Sequence, residues 1–171
     1  MSLIDRLFAS KPDPREALRP LYGAVVTEAR RPEWYRDGGV ADTVPGRFDM
    51  VSAALAGVLA RMDRDGGMKR ESALLTELFV HDMDGQLREM GIGDIVVGKH
   101  VGKLMGAMGG RFDAYRDGLA AGGEALRDAA VRNINFGERG DPALVARRLS
   151  EWAARLDRTP DAALLEGNIA A

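Results

Sequence analysis

Apolar side chains recur along most of this chain at the three- and four-residue spacing of helices that bury one face. Phe48, Val51, Leu55, Val58, Leu59 and Met62 form one stripe, with Asp42 and Thr43 ahead of it as caps and Pro45 suited to a first turn. Leu75, Leu78, Phe79, Met83, Leu87 and Met90 form the next, ended by Gly91 where a left-handed cap asks for glycine. From Asp94, read as an N-cap, the period runs through Val97, Val101, Leu104, Met105, Met108, Phe112, Tyr115 and Leu119. A last helix carries Leu144, Val145, Leu149, Trp152 and Leu156 and opens with Asp141 as cap and Pro142 as first residue. Convincing period-two alternation is missing, so the pattern predicts an all-α fold.

The intervals between stripes set the organisation. The helix from about residue 15 to 30 contains Pro20 and should kink or restart there. Residues 31–44, RPEWYRDGGVADTV, read as a long ordered loop, because Trp34 and Tyr35 need something to pack on. Asp65, Gly66 and Gly67 are a plain break between helices. At the start, Leu3, Ile4, Leu7 and Phe8 share one side of a short amphipathic helix, giving an arm at 1–12 that docks on its own domain. A single compact helical domain is expected over 13–158, and a flexible tail over 159–171, where large side chains are few.

Composition narrows the functional classes. At 171 residues the chain has room for one core and not for two ordinary domains. With 46% hydrophobic and 29% charged residues and a net charge of -2, nothing global favours DNA or RNA, although a local basic patch such as Arg147-Arg148 remains open. The absence of cysteine removes disulfides, thiol catalysis and sulfur-ligated metals. No apolar run approaches the roughly 18 residues of a membrane span, and no signal or transit pattern opens the chain. A cytoplasmic protein is expected, with the mitochondrion the alternative if a longer precursor exists.

One stretch imitates nucleotide chemistry. GIGDIVVGKH, Gly91 to His100, holds Gly93-x-x-x-x-Gly98-Lys99, one residue short of a phosphate-binding loop. A phosphate loop follows a buried strand and ends in a Ser or Thr that holds magnesium. Here an amphipathic helix precedes Gly93, Asp94 would set a carboxylate against the phosphates, and His100 stands where oxygen is wanted. Metal readings of His81, Asp82 and Asp84 also lack partners at the right spacing, and Glu77, His81, Asp84 and Arg88 read as a solvated helix face. Asp82 falls inside the apolar arc and must be paired, with Arg47, Lys99 or Arg111 as candidates. An enzyme using His81, Asp82 and Asp84 or the Gly93 to Lys99 region is the rival reading; the main one expects no catalysis, no metal and no cofactor.

The glycines suit close helix packing better. Gly98, Gly102, Gly106 and Gly110 recur every four residues beside the apolar stripe of one helix. Each interior glycine costs about 1 kcal/mol relative to alanine, so four together ask for close approach of another backbone. Met83, Met90, Met105 and Met108 add adaptable apolar surface. The approaching backbone is either another helix of the same domain, with the methionines as core filler, or a helix of a partner; the partner reading places its binding face on Met83, Leu87, Met90, Val97, Gly98, Val101, Gly102, Met105 and Met108.

The run from Phe79 to Met105, FVHDMDGQLREMGIGDIVVGKHVGKLM, resembles the ubiquinol–cytochrome c chaperone family. So do Leu21-Tyr22, the block Ala29 to Tyr35 and the block Val40 to Met50, in the same order. The motif-like positions are Tyr35, Asp42, Thr43, Gly46, Arg47, Asp84, Leu87, Arg88, Glu89, Gly91, Gly93, Asp94, Val97, Lys99 and Val101; Asp82 is set beside them as a structural residue. The resemblance implies an all-helical, non-enzymatic chaperone that binds nascent cytochrome b during assembly of the bc1 complex. Mitochondrial members of that family work beside the ribosome, which makes the ribosome a candidate further partner; the missing targeting segment favours a bacterial, cytoplasmic member, with the inner face of the plasma membrane as a candidate location. Before Gly110-Arg111 the family is expected to carry aromatics, whereas this chain has Ala107, Met108 and Gly109, so Met108 would take their place.

Overall fold

A computed structural model describes residues 13–64, 66–89 and 94–170, with side chains described outside 86–89 and 94–107. The described chain begins in a 3-10 turn, Pro14–Leu18, where the Asp13 carboxylate accepts the Arg15 amide. Helix α1, Arg19–Ala29, starts directly after it with Pro20 in its first turn. There proline's missing N–H removes no helical hydrogen bond, so the predicted restart is what the chain makes.

The ordered segment 31–44 contains a short helix, α2, Pro32–Arg36, that the sequence pattern did not separate from loop. Trp34 is buried and its indole donates to the Glu28 carbonyl at 2.8 Å, while the Tyr35 hydroxyl donates to the Ala29 carbonyl at 2.8 Å. Both acceptors lie in the last turn of α1, which a helix leaves short of donors. Farther on, Val40 forms an isolated antiparallel bridge with Phe136, flanked by Ala41 N–H to Asn135 O at 2.9 Å and Gly137 N–H to Gly39 O at 2.8 Å. The segment is thus stitched at both ends.

Helix α3, Val44–Asp63, begins as predicted, with Thr43 as N-cap accepting the Gly46 amide at 3.3 Å and Pro45 in the first turn. It is the central element, because its buried residues include Asp49, Ser52, Ala53, Ala54, Ala56 and Gly57 as well as the predicted stripe from Val51 on, with Phe48 partly buried. Helices α4, Lys69–Glu89, α5, Asp94–Ala121, and α7, Pro142–Arg158, pack on it together with α1. The small residues let α7 come close: a Cβ on Gly57 would sit 3.1 Å from the Trp152 ring, whose Nε1 donates to the Ala54 carbonyl at 3.0 Å. Asp141 caps α7 by accepting the Leu144 amide at 2.9 Å, as its sequence predicts.

Between α5 and α7 lies α6, Gly123–Asn133, which the apolar spacing did not reveal. Gly122 and Gly123, at φ 71° and 51°, reverse the chain so that α6 folds back along α5. The two helices touch backbone to backbone, since a Cβ on Gly118 would lie 3.0 Å from the Leu126 Cα.

The segment after Thr159, expected to be a flexible tail, is packed. It forms α8, Asp161–Leu165, with Leu164 fully buried and Leu165 and Ile169 against the core. Burying one leucine contributes about 2 kcal/mol, enough to dock a short tail despite its small residues. No helix among the described residues is long and apolar enough to cross a membrane.

Candidate functional site

The motif-like residues near the N-terminal end of α3 converge on a cleft. Arg30 follows α1, Pro32, Tyr35 and Arg36 come from α2, Asp42 precedes α3 and Arg47 lies in its first turn; together they line about 540 Å³. The Asp42 carboxylate accepts Arg47 Nε at 2.7 Å, which lowers its pKa. Burial raises the Tyr35 phenol, opposed by the nearby Arg47 and Arg30 charges. Gly46 has a steric role, because a Cβ there would stand 2.0 Å from the Ala41 carbonyl oxygen. That close approach sets the turn that presents Asp42.

Beneath the cleft, α3 turns a second carboxylate inward. Asp49, 2% exposed, accepts Arg111 Nη1 at 2.6 Å, the Asn135 amide at 3.0 Å and Asn135 Nδ2 at 2.5 Å. Arg111 also lies over the Phe48 ring, 5.7 Å from its centroid. This clasp joins α3, α5 and the segment after α6. Neither Asp49 nor Asn135 was singled out from the sequence, although a carboxylate inside an apolar helix is the signal that drew attention to Asp82.

For Asp82 the described residues give a partner that the sequence did not name, while Lys99, one of its three expected partners, has its side chain outside the described set. The Asp82 carboxylate accepts the Tyr22 hydroxyl at 2.7 Å, linking α4 to α1, while Arg47 and Arg111 hold Asp42 and Asp49. Burial, then this hydrogen bond, pushes the Tyr22 phenol up. His81 on the same helix is exposed and Asp84 half-buried. No cluster of His, Cys, Asp or Glu among the described residues is arranged to hold a metal. From Asp94 onward the chain is helical, so Gly98, Lys99 and His100 lie on α5 and not in a phosphate loop.

The methionines at the two ends of the expected partner face point inward. Met83 is 7% exposed and Met108 2%, with the Ser52 hydroxyl 3.9 Å from the Met108 sulfur. In this conformation neither is available to a partner, and Met108 does not replace a surface aromatic. Ser52 and the small residues of α3 leave the room that draws it in. Leu87, Arg88, Glu89, Val97, Gly98, Lys99, Val101, Gly102 and Met105 are helical, but their side chains, with that of Asp94, lie outside the described set. Met90, Gly91 and Gly93 lie outside the described residues altogether. At Gly110, the end of the four-residue glycine repeat, a Cβ would meet no described heavy atom within 4 Å. The close backbone contact of α5 with α6 falls outside that repeat, at Gly118.

Residues 36–171 match the model of the family described as Ubiquinol-cytochrome C chaperone. The chain belongs to that family. A solved structure described as the Cbp3 homolog from Brucella abortus matches with TM-score 0.79 and 30% identity, covering 98% of this chain and 96% of that one. The curated proteins contain no match. Within the chaperone family match fall Asp42, Thr43, Gly46 and Arg47, with the Asp49 clasp behind them; Arg30, Pro32 and Tyr35 precede it and are spanned by the structural match. Of the basic pair considered for docking, Arg147 is exposed, whereas Arg148 holds Asp37 at 3.1 Å.

Proposed function

We propose that this protein is an assembly chaperone of ubiquinol–cytochrome c reductase that holds newly made cytochrome b until its partner subunits cover it. The family match over residues 36–171 carries this reading. Binding by surface complementarity is supported by the packing of α5 on α3 and α4 and by the Asp49 clasp, which ties α5 to α3 at Arg111. Client contact then falls to Leu87, Met90, Val97, Gly98, Val101, Gly102 and Met105, with Met83 and Met108 joining only if α5 shifts from α3. The protein works without catalysis, on the cytoplasmic side of the membrane that receives cytochrome b and within reach of the ribosome that makes it.

Deleting the gene and following pulse-labelled cytochrome b tests the reading. Cytochrome b should be degraded faster and the assembled complex should fall, with restoration by the wild-type chain. A photo-crosslinker at Val101 or Gly102, in a chain that restores assembly, should capture cytochrome b. Normal assembly in the deletion strain would sink the function; assembly loss with no adduct from either position would move the client to another face.

A further inference from the structure

The cleft between α1, α2 and the start of α3 has a chemistry that chaperoning alone does not assign. Arg30, Arg36 and Arg47 reach it from three elements, against Asp42 in its lining and Asp37 behind Arg36. Two of these guanidiniums are held by carboxylates at 2.7 Å. The Arg30 guanidinium has no ion-pair or hydrogen-bond partner among the described residues, and Arg30 is exposed. A protein of net charge -2 thus carries a concave site with surplus positive charge. Pro32 and the Tyr35 ring give it an apolar wall.

The helix that carries Arg47 adds a second, independent feature. Val44, 60% exposed, is one of two large hydrophobic residues exposed among the described side chains. It sits three positions before Arg47 on α3, hence on the same helical face.

We propose that this cleft docks an acidic segment of a polypeptide partner, placing a carboxylate on Arg30 and an adjacent apolar side chain on Val44. A guanidinium fork matches a carboxylate in geometry and charge. The concavity suits a protruding side chain more than a flat or duplex surface. One exposed valine is too little apolar surface to anchor a bilayer, which favours a peptide over a lipid headgroup of the same charge. The proposal extends the chaperone reading and rests on it only in taking protein contact as the protein's work.

Titration of the full chain with a fluorescent peptide carrying Glu beside Leu tests it, against a twin with Gln for Glu and against vesicles of phosphatidylglycerol or phosphatidylcholine. The acidic peptide should bind, weaken with salt, and lose roughly tenfold in affinity with Arg30→Glu, the loss of a charge-assisted contact. Val44→Ser should also weaken it, and both variants should unfold at the wild-type denaturant concentration, since neither side chain is a core contact. Equal binding of the Gln twin, or affinity untouched by Arg30→Glu, overturns the proposal. So does Arg30-dependent binding to phosphatidylglycerol vesicles without peptide binding, which would assign the cleft to a headgroup. The gene-deletion experiment that follows cytochrome b reads none of these quantities, so either conclusion can fail alone.

Discussion

Asp42 and Asp49 lie within two helical turns of each other, and each grips an arginine at nearly the same distance, 2.7 Å to Arg47 and 2.6 Å to Arg111. Their surroundings differ completely: the Asp42 side chain is 59% exposed and that of Asp49 2%. Water screens the first pair and competes for both partners, so it contributes little to folding. The second has lost its water and is held instead by Arg111 and Asn135, so removing one member strands the others. Identical chemistry thus serves as a structural clasp on one side of α3 and as adjustable surface charge on the other.

The comparison breaks most visibly at the clasp. Asp49→Ala should destabilise the fold by about 3 kcal/mol, the low end for a broken buried pair because Arg111 is 27% exposed and can rehydrate. Urea unfolding would read this as a lower midpoint at unchanged slope. A midpoint within error of wild type would mean that the clasp forms without stabilising. Gly46→Ala comes next. Alanine favours a helix by up to about 1 kcal/mol over glycine, but the new Cβ would stand 2.0 Å from the Ala41 oxygen. Moving the turn at 41–43 outweighs that gain, for a net loss of roughly 1 to 2 kcal/mol in the same assay. An unchanged or higher midpoint would show that the turn yields freely.

These two residues also mark what the sequence could and could not disclose. Helix starts were legible where a local capping pattern exists, as at Thr43-Val44-Pro45 and Asp141-Pro142, because a cap is decided by residues a few positions apart. The burial of α3 on all sides was not. Its apolar stripe showed, but Ala53, Ala54, Ala56 and Gly57 carry too little hydrophobic signal to announce that other helices cover them. Asp49 was lost in the same way. For Asp82 the need for a partner was readable, while the contribution of Tyr22 depended on how α1 lies on α4. Helix α6 escaped because its apolar face is mostly Leu126, Ala129 and Ala130, and the packed tail because three aliphatic residues sufficed. Within the site, Tyr35, Asp42 and Arg47 came from motif resemblance, whereas Arg30 and Arg36 joined them only through the fold.

Asp37 is the intermediate case. Its side chain is 31% exposed, and it accepts hydrogen bonds from Arg36 at 2.7 Å and Arg148 at 3.1 Å, which bring its pKa from 3.8 down to about 2. Because the folded value lies below the unfolded one, the carboxylate's contribution is full above pH 3.8 and is lost as pH falls toward about 2. Asp37→Asn should therefore flatten the decline of stability over that acid window, with a small loss at neutral pH. An acid limb of unchanged steepness would mean that the two arginines hold the unfolded chain equally well.

The smallest stability effect belongs to Asp42, and it separates folding from binding. Asp42→Ala removes an exposed, water-screened pair, so its urea midpoint should match that of wild type within error. The same change unmasks the Arg47 guanidinium and raises the positive charge of the cleft by one unit. If that cleft receives an acidic segment, the variant should bind the Glu-containing peptide a few-fold more tightly, an effect that salt removes, while the Gln twin stays unchanged. A variant that loses stability as Asp49→Ala does would place Asp42 with the clasp. One that keeps its stability but binds the acidic peptide no better would leave the Asp42–Arg47 pair as surface charge without a role in recognition.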